Sequence, residues 1–165
     1  LATTNSKNEP SVRMVLLKDL SSKGFVFYTN LNSPKSKDLE NNPKASMCFH
    51  WKSLQRQVRI SGSVNQVDDK EADLYFNSRH YESRIGAWAS DQSKKMNDRN
   101  EFLKKLDQLK IKYKDKNKVP RPKFWSGWCL NPSLIEFWLG DKYRIHERLK
   151  YNRILNNWEK EILYP

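Results

Sequence analysis

Residues Glu136 to Arg148 read EFWLGDKYRIHER, with Arg144, His146 and Arg148 two positions apart directly after an apolar, tryptophan-containing run. In an extended chain that spacing aims all three side chains at one face. Three hydrogen-bond donors, two of them permanently cationic, repel one another in a dry core. Such a face is stabilised by an anion or a planar polar ligand. The competing reading is an exposed strand face carrying ordinary surface charge.

Working outward, the distribution of arginine supports the first reading. Only ten of the 31 basic residues are arginine, and seven of them, Arg13, Arg56, Arg59, Arg79, Arg84, Arg144 and Arg148, fall in four compact segments. Lysine is scattered along the chain. A planar guanidinium fork matches phosphate oxygens two at a time and lies flat on aromatic rings, which an ammonium group cannot do.

Length and composition set the bounds. A chain of 165 residues is expected to form one domain with a sizeable core. Hydrophobic residues make up 37% and aromatic residues 12%, a folded-protein composition despite a mean hydropathy of -0.91. No apolar run approaches the roughly 18 residues of a membrane span, and no signal segment is evident, so a soluble protein is expected. Cys48 and Cys129 lack CxxC spacing and offer no disulfide framework, so a reducing cytoplasm is the expected location.

The net charge of +12 raises the question of nucleic acid. Twelve basic and four acidic residues lie between Lys94 and Lys123. Within that segment Phe102, Leu106, Leu109 and Tyr113 recur at helical spacing, with Asn97 or Asp98 available as the cap. The spacing predicts an amphipathic helix with a lysine-rich outer face. No aromatic residues interleave that face as stacking platforms, so a solvated surface is favoured over a nucleic-acid contact.

The remainder reads mainly as strands: 12 to 18, 24 to 30, 45 to 51, 56 to 67, 134 to 140 and 143 to 151. Ser33 and Pro34 predict a short helix ending before Asn42-Pro43, Asp68 or Asp69 caps another, and a third spans Ser83 to Gln92. Many strands joined by tight turns, with helices inserted rather than alternating, predict a mainly β fold, an antiparallel barrel with peripheral helices. No repeat or domain boundary emerges.

Several chemistries are disfavoured. The five glycines form neither GxGxxG nor a P-loop. His50, His80 and His146 are too dispersed for a metal motif, and no serine carries a nucleophile elbow. Phosphate-competent segments remain. Arg13 and Lys18 bracket RMVLLK, Ser33 and Lys35 follow YTN, Gln57 and Arg59 share a face of RQVRISG, and Gln92 and Ser93 close GAWASDQS. Arg79 and Ser83 are one turn apart, with Tyr75 a turn earlier if the helix continues.

The runs RMVLLK (13 to 18), FYTN (27 to 30), WKSLQRQVRISG (51 to 62), YFNSR (75 to 79), IGAWASDQS (85 to 93) and EFWLGDKYRIHER (136 to 148) resemble the pyridoxamine 5'-phosphate oxidases, in order and in spacing, over nearly the whole chain. The resemblance implies a single FMN-binding split β-barrel domain over residues 1 to 165. It implies FMN binding by Arg13, Met14, Val15, Leu16, Leu17 and Lys18, by Tyr28, Thr29, Lys35, Gln57, Gln92 and Ser93, and by Trp138 and Arg148. It further implies that Lys18, Tyr75, Arg79 and Ser83 grip the substrate phosphate, with Arg144 and His146 beside the substrate ring as the catalytic pair. A homodimer with FMN at its interface is also implied.

The reaction so implied is oxidation at C4' of pyridoxine 5'-phosphate or pyridoxamine 5'-phosphate to pyridoxal 5'-phosphate, with O2 as acceptor and H2O2 as product. His146 is open as either a base or a hydrogen-bonding group. The sequence departs from the family pattern at Pro34, where an arginine is usual, at His80 and Arg84 in SRHYESRIGAW, at Leu139, and at the terminal Ile162-Leu163-Tyr164-Pro165. It also begins inside the family's usual N-terminal region, so a chain lacking that segment is expected. Two other readings stay open: another split-barrel FMN reductase, and a non-catalytic binder of nucleic acid or of vitamin B6 phosphates.

Overall fold

The alternation and turn chemistry of the chain yield nine strands and four helices in the computed structural model, which describes residues 1 to 165. In chain order these are β1 (Ala2–Thr4), β2 (Pro10–Val12), β3 (Asp19–Ser21), β4 (Gly24–Asn30), α1 (Pro34–Asn41), β5 (Lys44–Trp51), β6 (Arg56–Gln66), α2 (Asp69–Ser78), α3 (Tyr81–Ala89), α4 (Arg99–Lys112), β7 (Trp125–Leu139), β8 (Glu147–Ile154) and β9 (Asn157–Leu163). The hydrogen-bonded strand order is β2-β1-β5-β6-β7-β4-β3, with β8 pairing both β7 and β9. Neighbours such as β5–β6, β7–β8 and β8–β9 run antiparallel. The fold is mainly antiparallel β with four helices, as the sequence predicts.

The chain divides into two compact units. The first comprises Leu1–Phe27, Asp38–Asn65 and Cys129–Pro165, and the second Tyr28–Lys37 and Gln66–Trp128. In the first, β5 shows the period-two burial of a strand with one face inward, with Ala45 and Met47 buried between exposed Lys44, Ser46 and Cys48. Met47 pairs with the fully buried Ile60 of β6. In the second, Phe76, Ile85, Val119 and Trp125 form a buried cluster on which Tyr28, Tyr75, Tyr81, Trp88 and Leu109 pack.

The helices start where the caps predict. Asp68 caps α2 by accepting from the Glu71 N–H, and Asp98 caps α4 by accepting from the Asn100 N–H. Pro34 opens α1. The Ser33 hydroxyl donates instead to the Asn30 carbonyl.

Several segments differ from expectation. Residues 13 to 18 form no strand: the run holds the fold through the Arg13 N–H to the Leu1 carbonyl and the Lys18 N–H to the Val26 carbonyl, and it leaves Met14 93% exposed. Its β propensity finds no continuous ladder to join. Residues 142 to 144 form a 3-10 turn with Tyr143 and Arg144 at φ 56° and 65°, so β8 begins only at Glu147. The third helix spans Tyr81–Ala89, which leaves Gln92 and Ser93 in the turn beyond it. The strand expected from 134 begins at Trp125, running through Gly127 and Pro132, and β9 was not anticipated.

Two glycines give opposite expectations. A Cβ at Gly62 in β6 would sit 2.0 Å from the Asn131 carbonyl oxygen, and backbone cannot yield as a flexible side chain does. At Gly86 in α3 a Cβ meets nothing within 4 Å. Gly62→Ala is expected to lose about 2 kcal/mol or more in urea unfolding. Gly86→Ala is expected to gain about 0.5–1 kcal/mol from helix propensity. Equal effects at the two positions would contradict this packing.

Candidate functional site

In the helical unit, α2 ends at Arg79, whose backbone is extended, and α3 starts after His80. Tyr75, Arg79 and Ser83 therefore do not share one continuous helix, contrary to the simplest reading of their spacing. Tyr75 projects from α2, Arg79 caps it, and Ser83 lies exposed in the first turn of α3. The Arg79 guanidinium carbon stands 4.7 Å from the centre of the Trp125 ring and 5.6 Å from that of Phe76. Burial lowers the Arg79 pKa, with the neighbouring Arg84 lowering it further while Tyr75 opposes. No carboxylate pairs with Arg79, and one of its terminal nitrogens is buried without a hydrogen-bond partner. A half-buried cation without a carboxylate partner has the chemistry to accept an anion.

The same unit holds a second cation. Lys35 is 7% exposed, and its ammonium donates to Thr29 Oγ1 at 3.1 Å and Ser33 Oγ at 3.2 Å. Thr29 in turn donates to Gln92 Oε1 at 3.2 Å, which also accepts from the Asn30 N–H. The Gln92 carbonyl oxygen is thus engaged, and its amide nitrogen remains as a donor. Ser93 follows in the left-handed region at φ 68°. An ammonium, hydroxyls and an amide donor gathered around α1 are chemistry suited to a phosphate ester.

In the other unit, the β7–β8 register places Trp138 opposite Arg148 and Glu136 opposite Lys150, so Glu136 and Arg148 are diagonal neighbours on one face. Glu136 is 3% exposed. It accepts from Arg148 Nε at 3.0 Å and from the Arg59 guanidinium. Burial alone would raise the Glu136 pKa, but the bonds from Arg59 and Arg148 outweigh it and hold the carboxyl below its ordinary range. Arg148 also donates to the Tyr164 carbonyl at 3.2 Å. The three-residue face read from the sequence is therefore divided: Arg148 lies on β8 against Glu136, whereas Arg144 is exposed on the strained turn.

His146 lies half-buried with its ring 4.7 Å from that of Trp138. Its Nδ1 accepts from the Asp141 N–H at 3.2 Å. In the neutral imidazole this puts the proton on Nε2, which makes that nitrogen a donor. A cavity of about 1050 Å³ is lined here by Trp51, Gln57, Trp138, His146, Arg148 and Leu163 among others. Arg13 is committed within the same unit, to Thr3 Oγ1 at 2.6 Å, to Ser11 and to Asp38 at 3.9 Å. Met14, Leu16, Leu17 and Lys18 are exposed and Val15 half-buried on the run between β2 and β3.

Sequence reasoning gave no role to Glu136, Arg121 or Trp125. Glu136 was visible in EFW, but only its burial between two arginines reveals what it does. Arg121 ties Asp69 and Asp73 of α2 to the Trp125 carbonyl.

These features describe an antiparallel β protein with cationic clusters lined by aromatic and polar side chains. Residues 1–113 match the family profile described as pyridoxamine 5'-phosphate oxidase, and residues 125–165 match that of the pyridoxine 5'-phosphate oxidase C-terminal dimerisation region. The chain belongs to the pyridoxamine 5'-phosphate oxidase family. The pyridoxine/pyridoxamine 5'-phosphate oxidase of Pelagibacter ubique is 61% identical over all of this chain and 80% of its own length. That of Caulobacter vibrioides is 48% identical over all of this chain and 74% of its own. Among solved structures, PhzG from Burkholderia lata, in complex with tetrahydrophenazine-1-carboxylic acid, superposes with a TM-score of 0.93 at 29% identity, covering 99% of this chain and 80% of PhzG. An FMN-binding protein of Nostoc punctiforme related to pyridoxamine 5'-phosphate oxidase shares the fold, with a TM-score of 0.79 at 15% identity over 99% of this chain and 86% of its own.

The buried carboxylate makes a pH-dependent expectation. Because the folded Glu136 pKa lies below the unfolded value of about 4.3, its stabilisation is complete above that value and is lost as pH falls through the folded one. Glu136→Gln is expected to cost about 1–3 kcal/mol at pH 7. The difference from the wild type should shrink below about pH 4 as the wild-type carboxyl protonates. Denaturant unfolding of both proteins from pH 3 to 7 measures it, and a pH-independent difference would contradict the charge pairing.

Proposed function

We propose that this chain is an FMN-dependent oxidase that converts pyridoxine 5'-phosphate or pyridoxamine 5'-phosphate to pyridoxal 5'-phosphate. The alcohol and O2 give the aldehyde and H2O2, and the amine consumes one water in addition and releases ammonia. The reading is supported by relatives bearing that name over the full chain. The structural observation that carries it is Arg79, a half-buried guanidinium stacked on Trp125, with one buried nitrogen lacking a hydrogen-bond partner and no carboxylate.

The donor set suits two phosphorylated ligands. For the cofactor we assign Lys35, Thr29, Gln92 and Ser93 to the phosphate end, together with Tyr28 of the helical unit. From the other unit we assign Arg13 and the backbone through Lys18, Gln57, Trp138 and Arg148. FMN, when bound, supplies a two-electron acceptor that O2 returns to its oxidised form. For the substrate we assign Arg79, Tyr75, Ser83 and Lys18 to the phosphate, and Arg144 and His146 to the ring.

Arg79 then binds a dianion, which relieves its unpaired charge and anchors the substrate by the end remote from the chemistry. The His146 tautomer set by the Asp141 N–H makes Nε2 a hydrogen-bond donor to the substrate, so in this arrangement His146 orients rather than abstracts. Glu136 fixes Arg148 by a charge-assisted bond. A homodimer belongs to the same proposal: within the dimerisation region Phe137, Ile145, Trp158 and Ile162 are exposed apolar side chains of the kind a partner covers. A cytoplasmic location, expected from the cysteine usage, completes it.

Pyridoxal 5'-phosphate formed with one equivalent of H2O2 per turnover is the expected activity. Arg79→Gln should raise KM for pyridoxine 5'-phosphate about 10–100-fold with little change in kcat, as removal of a charge-assisted contact predicts. Lys35→Met should instead weaken FMN retention and leave KM near wild type once FMN is saturating. Wild-type kinetics and FMN affinity in both variants would contradict the assignment.

A further inference from the structure

Trp125 is the first residue of β7 and is 6% exposed. Its ring is nearly parallel to that of Tyr28 at 5.3 Å and to that of Tyr75 at 6.2 Å, while Tyr28 and Tyr75 stack on each other at 4.0 Å. Phe76 meets it edge-on at 5.1 Å. The Arg79 guanidinium carbon lies 4.7 Å from its centre. Gly127 leaves the space this stack needs, since a Cβ there would come within 2.7 Å of the Tyr28 ring.

The backbone of Trp125 is as constrained as its ring. Its N–H donates to the Pro122 carbonyl at 3.0 Å, and its own carbonyl accepts from Arg121 Nη1 at 2.9 Å. Arg121 is held in turn by Asp73 and Asp69 of α2, each at 2.6 Å. Trp125 is thereby fixed to the helix that carries Tyr75 and ends at Arg79.

An arginine partly withdrawn from water, as half-buried Arg79 is, is normally held by a carboxylate, which would also compete with any incoming phosphate. Arg79 has no such partner. The π-face of tryptophan is the strongest aromatic partner for a cation, and it uses none of the guanidinium's N–H groups.

We propose that Trp125 is a positioning residue for the substrate phosphate: it holds Arg79 by its ring face, so that no carboxylate neutralises Arg79 and its charge remains available to the anion. This rests on the reading of Arg79 and Tyr75 as substrate-phosphate residues. A carboxylate in the place of Trp125 would fix Arg79 equally well but neutralise it. The aromatic face fixes it and leaves its charge available.

The test is steady-state kinetics of the FMN-saturated protein with pyridoxine 5'-phosphate for Trp125→Leu, Trp125→Phe, Arg79→Gln and the double variant Trp125→Leu/Arg79→Gln. Trp125→Leu should raise KM about tenfold with kcat nearly unchanged, and Trp125→Phe should restore KM to within about threefold of wild type. In the Arg79→Gln background the leucine substitution should add less than about twofold, because both changes remove one interaction.

A KM unchanged in Trp125→Leu while Arg79→Gln raises it, or effects that multiply independently, would overturn this inference and leave the site assignment standing. An Arg79→Gln variant with wild-type KM would overturn the assignment and the inference with it. If the leucine variant fails to fold, fluorinated tryptophans placed at position 125 keep the ring's shape while weakening its face. KM should then rise with each added fluorine, and a flat series would overturn the inference.

Discussion

A guanidinium half withdrawn from water without a carboxylate is costly to maintain, and the helical unit packs aromatic side chains around it at Arg79. Trp125, Phe76, Tyr75 and Tyr28 form the packed aromatic surface that replaces part of its solvation. The break between α2 and α3 at Arg79–His80 is what turns the side chain onto that surface instead of along a helix face. Arg121 anchors the surface to α2, and Tyr81, Arg84 and Trp88 of α3 donate to the carbonyls of Tyr113, Lys116 and Pro120, binding the connection from α4 against α3. Arg84, one of the departures from the family pattern, thus has a structural role while adding positive potential beside Arg79.

The sheet-bearing unit solves the opposite problem. There a buried carboxylate, Glu136, is matched by two guanidinium groups, so Arg59 and Arg148 are held in fixed geometry with their charge partly neutralised. The consecutive left-handed residues Tyr143 and Arg144 carry the strain of the turn that separates β7 from β8. Strain of that kind, about 1–3 kcal/mol per residue, persists where surrounding structure over-determines the backbone, and it is common where a side chain must be presented to a ligand.

Much of this was legible in the sequence where local chemistry decides structure. The strands at 24 to 30, 45 to 51 and 56 to 67 and the caps Asp68 and Asp98 match to within a residue because alternation, turns and capping are local properties. Residues 13 to 18 and 143 to 146 have strand composition, yet their conformation depends on which neighbours offer a ladder, and no residue spacing records that. β7 begins at Trp125, well before the strand read from 134. Lys35, Thr29 and Gln92 were named by resemblance, and the structure shows their mutual hydrogen bonds. Glu136, Arg121 and Trp125 were silent because their roles come from burial and from partners far along the chain.

If Arg79, held without a carboxylate partner, anchors the substrate phosphate, then only phosphorylated substrates should be oxidised efficiently. The most direct test is the visible absorption of the FMN-loaded protein, without oxygen, on addition of pyridoxine 5'-phosphate and, separately, of unphosphorylated pyridoxine at the same concentration. Bleaching of the flavin by the phosphate ester, reversed by air, is expected, and none by the free alcohol. A flavin that stays oxidised with the ester, or that bleaches equally with both, would contradict it.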